Sequence, residues 1–306
     1  MSKGKVKLDQ DPKILREYYK HQRCVQGVLE STVYQRLLFV RPFVRHFGHS
    51  RANIREIRAG DVHQYVIKQA PKLSRKYCKD FLCALRSFFK FILFKGYTNA
   101  RLSDALPKLP TWQLSDIPRG IEWESVQKLL AAPNRRRSNG KRNFAFLLLL
   151  ASYGVRSHQA ANLKLKDIRW RAGLINFSAC KGGKPLCFPL YENVAEALLD
   201  YIQNARGRHD FEEVFLQKRT TIKPIGPGSL HSTLKLYYQK AGINSRSKGF
   251  HAIRHAFATK LMTEQTPIKN ISDLLGHRSI KSTYIYTKVD LRQLRTLCRD
   301  WPQVAL

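Results

Sequence analysis

Acidic side chains are scarce in this chain: 22 Asp and Glu stand against 55 Lys and Arg in 306 residues, a formal net charge of +33. Such an excess gives the chain a strongly positive field. It points to polyanions, because neutralising a phosphate backbone releases condensed counterions. The bias is not confined to a tail, since residues 1–118 carry 23 basic and 9 acidic side chains. Both halves are therefore suited to lie near phosphate. Long apolar runs are missing as well: a bilayer span needs about 20 consecutive apolar residues, and the opening MSKGKVKLDQDPK holds no apolar core of the kind a secretory leader carries. Nucleic acid is favoured over a membrane surface as the partner. Paired metal-binding spacing is also absent. Cys24, Cys78, Cys83, Cys180, Cys187 and Cys298 form no CxxC pair and no Cys/His array, so they read as reduced thiols of a cytoplasmic protein that needs no metal.

No internal repeat or long low-complexity segment is present, and the length suits one large or two ordinary domains. The change of texture falls near Arg101–Gly120, which holds three prolines and no sustained periodicity and reads as an interdomain linker. The division expected is a helical domain over 1–110, a linker over 111–120 and a second domain over 121–306. In the first, Phe81, Leu85, Phe88, Phe89 and Ile92 fall on one helical stripe, and Gly96 supplies a stop. An earlier helix is predicted to start near Ser31 as N-cap and to be kinked or split by Pro42; Asp61 is predicted to cap a third. In the second, helices dominate except at Gly173–Leu190, where two short apolar runs flank Lys-Gly-Gly-Lys, a β-hairpin pattern. The fold class is thus mainly α with a small β-sheet.

Four clusters could carry chemistry. In HAIRHAFATKLM, His251 and Arg254 lie three apart and share a helix face, with His255 adjacent. A guanidinium fork matches two phosphate oxygens and an imidazole moves protons near neutral pH; a passive basic face on DNA explains the pair equally well. In LLGHRSIKSTYIYTKV, Gly276 caps a helix C-terminally and puts His277 in a turn, although a lone histidine is more often structural. In ASYGVRSHQAANLKLKDI, an apolar helix from Phe144 to Ala151 breaks at Gly154 and delivers Arg156 to the start of the next helix, a phosphate-attracting place; a surface arginine is the plainer reading. At the hairpin turn, Lys181 and Lys184 flank two glycines and could reach into a groove, or be merely solvated.

In chain order, Arg156, Lys181, His251, Arg254, His277 and Tyr286 resemble the motif series of the tyrosine recombinases, also called the phage integrase family, especially its compact Xer-like and integrase-like members. HAIRH matches the His-x-x-Arg-His box, LLGH the Leu-Gly-His box and YIYTKV the nucleophile segment; YGVR and CKGGKPLCFPL match the arginine and hairpin-lysine boxes. Arg254 to His277 is 23 residues and His277 to Tyr286 is 9, spacings typical of the family. The resemblance covers residues 121–290, while the N-terminal half is similar only in being a helical core-binding domain.

The resemblance implies a site-specific recombinase of double-stranded DNA, working without ATP, metal or other cofactor through a 3′-phosphotyrosine. It further implies that Tyr286 is the nucleophile, that Arg156 and Arg254 bind the non-bridging oxygens, that Lys181 protonates the leaving oxygen with Lys184 as the alternative, that His251 assists proton transfer and that His277 bonds the phosphate. If YIYTKV is helical, Tyr284 and Tyr286 diverge by about 200° around the axis, so only one faces the phosphate. A homo-tetramer, or a hetero-tetramer with a paralogue, is implied on DNA in the cytoplasm, with no membrane partner. The stripe Leu291, Leu294, Leu297 and Trp301 would then dock on a neighbouring protomer. One departure stands out: Gln159 occupies a place where the family usually has an acidic residue. The alternatives are a nicking-closing enzyme of type IB topoisomerase kind, disfavoured by the tail and boxes, and a catalytically impaired DNA-binding accessory protein, for which only Gln159 speaks.

Overall fold

The computed structural model describes residues 8–48, 51–109, 120–179, 185–218, 221–226, 228–245, 249–276 and 283. The chain divides into two compact units, Ser2–Trp112 and Gln113–Leu306. No helix among the described residues is long and apolar enough to cross a membrane.

The first unit is helical: α1 Lys13–Lys20, α2 Glu30–Phe47, α3 Arg51–Glu56, α4 Ala59–Gln69 and α5 Arg75–Phe94. The α5 stripe from Phe81 to Ile92 is buried, and it packs against Val33, Leu37, Val40, Phe43 and Val44 of α2. The Ser74 hydroxyl accepts the Tyr77 N–H at the start of α5. At its end Gly96 takes φ +64°, and the Tyr97 N–H returns to the Ile92 carbonyl. The sequence expectations for α2 are corrected. Leu29, not Ser31, caps α2, because the Thr32 and Val33 N–H groups bond the Leu29 carbonyl and put Ser31 inside the first turn. Pro42 does not split α2: it is exposed, so the Leu38 carbonyl that loses its partner can turn to water while the apolar stripe stays packed. Asp61 is not the N-cap of α4, a place Arg58 takes; it is the third helical residue, and from there it accepts the Arg58 N–H at 2.8 Å. Leu102 and Leu106 are buried in this unit's core, so the chain from Leu102 to Leu106 is packed and not open linker.

The second unit is built round α7, Ser138–Tyr153, which is buried on nearly every side. It packs on α6, Trp123–Ala131, on α9, Glu192–Tyr201, and on α11, Phe250–Thr263. Its one arginine in mid-helix, Arg142, is buried but donates to the Leu216 carbonyl and to Asn143 Oδ1, so the charge is hydrogen-bonded. Short α8, Ser157–Ala161, leads to β1 Ile168–Arg169, β2 Leu174–Phe177 and β3 Leu186–Pro189, an antiparallel sheet in that order. Its register pairs Ile175 with Phe188 and Phe177 with Leu186. Ile175, Phe177 and Phe188 face the core while the exposed Cys187 faces outward, the period of two that alternation demands. A second ribbon, β4 Leu216–Lys218 with β5 Ile222–Pro224, was not anticipated; its strands are too short to show a period. α10 His231–Lys240 and α12 Ile268–Leu274 complete the described α-helices.

Candidate active site

The Arg156 turn is prepared by the end of α7. Tyr153 is held there because its hydroxyl donates to the Pro189 carbonyl at 2.8 Å and accepts the Tyr191 N–H at 3.1 Å; burial pushes this phenol up to about 12. Gly154 then takes φ +59°, and a Cβ there would overlap the Phe257 ring of α11. Only glycine satisfies both the left-handed backbone and that close approach. The reversal puts half-buried Arg156 at the N-cap of α8.

Arg254 lies on α11 and is 2% exposed. Its Nη1 donates to the Gly154 carbonyl and its Nη2 to the Leu275 carbonyl, each at 2.7 Å. One buried guanidinium thus joins the Arg156 turn to the end of α12, just before His277. These are charge-assisted bonds, stronger than neutral ones, and a guanidinium has further donors beyond the two.

The hairpin is anchored to the same two turns. Gln159 is 3% exposed; its Oε1 accepts the Arg156 N–H and its Nε2 donates to the Ser178 carbonyl just beyond β2, both at 3.1 Å. On the other strand, Leu186 at the start of β3 packs so closely on Gly276, φ +59°, that a Cβ there would sit 3.2 Å from its methyls. A closed circuit results: Arg156 turn, Gln159, hairpin base, Leu186, Gly276 turn, Arg254, and back through Gly154.

His251 borders this circuit. It keeps a solvent-exposed edge, yet enough protein surrounds the ring that desolvation, then the charges of Arg254 and Arg156, lower its pKa below the usual imidazole value. His255 packs edge-on to it at 4.9 Å. Burial, then His251 and Arg254, push His255 down to about 4. The lowering at His251 favours the neutral imidazole, the form able to accept a proton.

Arg156, His251 and Arg254 are therefore brought together. Lys181, Lys184, His277, Tyr284 and Tyr286, together with the stripe Leu291, Leu294, Leu297 and Trp301, lie outside the described residues. Thr283, three positions before Tyr286, is described and fully buried. The bridging role of Gln159 is not readable from composition, although its position three residues after an N-cap is the capping-box spacing that signals a reach back to the helix start. Ser178 left no signal, because it acts through a backbone carbonyl.

Residues 120–292 match the model of a family described as the phage integrase family. The candidate integrase/recombinase y4rA of Sinorhizobium fredii is 34% identical over 303 residues, 97% of this chain and 74% of that protein. Tyrosine recombinase XerA of Thermococcus onnurineus is 28% identical over 283 residues, 91% of this chain and 92% of that one. The fold is shared with XerH site-specific recombinase, whose crystal structure bound to a palindromic difH substrate as a post-cleavage complex superposes with a TM-score of 0.72 at 20% identity, covering 94% of this chain and 84% of that one.

Proposed function

The chain belongs to the phage integrase family, the tyrosine recombinases, and from that premise we propose how its side chains divide the work. It is a site-specific DNA recombinase that cuts and rejoins strands through a covalent 3′-phosphotyrosine. The Tyr286 phenol attacks the scissile phosphorus, the P–O5′ bond breaks, and the electron pair leaves on O5′, which takes a proton. The covalent link conserves the bond energy for a partner's 5′-hydroxyl to reverse the step, so one difficult displacement becomes two easier ones.

Arg156 and Arg254 neutralise the charge that grows on the non-bridging oxygens, and remain protonated throughout. His251 receives the phenol proton, which at a tyrosine pKa of about 10 must be removed as attack proceeds. Lys181 protonates O5′, with Lys184 the alternative, and His277 bonds the phosphate. The observation that supports this assignment is the contact circuit: Arg254 bonds both the Gly154 and Leu275 carbonyls, so the turn that carries Arg156 and the turn at Leu275–Gly276 meet at one place. The partner is double-stranded DNA. Two duplexes that exchange both strands present one scissile phosphate per strand, and a protomer with one nucleophile serves one of them, which calls for a homo-tetramer, or a hetero-tetramer with a paralogue. The stripe from Leu291 to Trp301 is suited to join neighbouring protomers in it.

The test is covalent capture on nicked suicide duplexes drawn from DNA flanking the gene, followed by mapping of the cleaved phosphate. Wild type and Tyr284→Phe are expected to form an adduct that survives denaturation, and Tyr286→Phe to form none. Capture by Tyr286→Phe but not by Tyr284→Phe would overturn the assignment. Recombination between two mapped sites distinguishes a recombinase from a nicking-closing enzyme.

A further inference from the structure

Among the side chains of the circuit, Gln159 both accepts and donates a hydrogen bond, and so ties two elements at once. It is a neutral amide, 3% exposed, placed between an N–H and a carbonyl. An amide accepts and donates at once, whereas a carboxylate at neutral pH only accepts. With an acidic residue here the Arg156 bond would survive, but the Ser178 carbonyl would face a negative oxygen. Ser178 stands three residues before Lys181, at most about 10 Å of extended chain.

We propose that Gln159 is the positioning residue for leaving-group protonation: its Nε2–H···O=C bond to Ser178 fixes the hairpin base from which the lysine reaches the departing 5′-oxygen. The reach depends on where the strand exits, and a displacement of 1 Å at a proton donor is costly. This rests on the reading of a hairpin lysine as general acid. The role is separable from Arg156, because the two ends of the amide serve different elements.

The experiment uses the full chain and the mapped suicide duplex in two forms, with oxygen or with sulfur bridging the scissile phosphorus and the 5′-carbon. Sulfur leaves as a thiolate and needs no proton, so a defect in protonation vanishes while a defect in phosphate binding or folding persists. Gln159→Glu, which keeps size and acceptor but loses the donor, is expected to slow single-turnover cleavage of the oxygen duplex by about 10-fold, a fraction of the roughly 10²–10⁴-fold that general-acid assistance supplies. It is expected to cleave the sulfur duplex at the wild-type rate and to bind DNA unchanged. Gln159→Leu is expected to add a sulfur-independent loss through Arg156. Lys181→Ala and Lys184→Ala run in parallel, and sulfur is expected to rescue one of them. Equal defects of Gln159→Glu on both duplexes, or no defect on either, overturn the proposal alone when a lysine variant is rescued. If sulfur rescues neither lysine variant, the general-acid reading falls and the proposal falls with it.

Discussion

Two imidazoles meet at His251 and His255, and their environment makes a pH prediction with a definite sign. An unfolded histidine titrates at about 6.5, and both are depressed here, His255 to about 4, by burial and by positive neighbours including Arg254. Between those values the unfolded chain binds more protons than the folded one, so stability is full above pH 6.5 and declines as pH falls toward 4. The thermal midpoint is expected to drop over that window, and less so in His255→Phe. A ring-proton NMR titration placing His255 at or above 6.5 would refute the picture. Residue identity at the described part of this site was legible: Arg156, His251 and Arg254 stand in recognisable spacing. What spacing did not convey is that Arg254 is 2% exposed and tied to two backbone carbonyls, since carbonyls have no sequence signature.

Elements are joined here through glycines. Gly154 ends α7, a stop visible in the sequence, but its closeness to Phe257 arises from the packing of α7 on α11. Gly154→Ala is expected to cost about 2–4 kcal/mol, combining left-handed strain with overpacking, as read by urea denaturation. It should also slow cleavage, because the Gly154 carbonyl holds Arg254. Adding Phe257→Leu should recover the packing part and leave the backbone part; no recovery would mean that the ring is not the obstacle. Strong stripes such as α5 were readable because burial repeats with the helix period. The start of α2 was misread because a serine suited to capping lies within two residues of the true start, and the decision fell to backbone bonds from the Leu29 carbonyl. The β4–β5 ribbon escaped because each of its strands has three residues.

For the whole molecule the dominant quantity is charge. At +33, and with about 6–10 phosphates neutralised per protomer, affinity for DNA is expected to fall by about 10³-fold or more between 50 and 200 mM salt. Fluorescence anisotropy across that range measures the slope, and a flat response would exclude phosphate contacts as the main source of affinity. Composition alone favoured nucleic acid as the class of partner, because net charge survives any folding. Periodicity and ordered motifs determined the helical character, the hairpin and the family, because each depends on neighbours along the chain. Only the tertiary structure decided that Gln159 and Arg254 tie the hairpin base and two turns into one circuit. Gly154 and Arg254 are 100 residues apart, and bonds made over such separations are chosen by how helices pack, which no local pattern encodes.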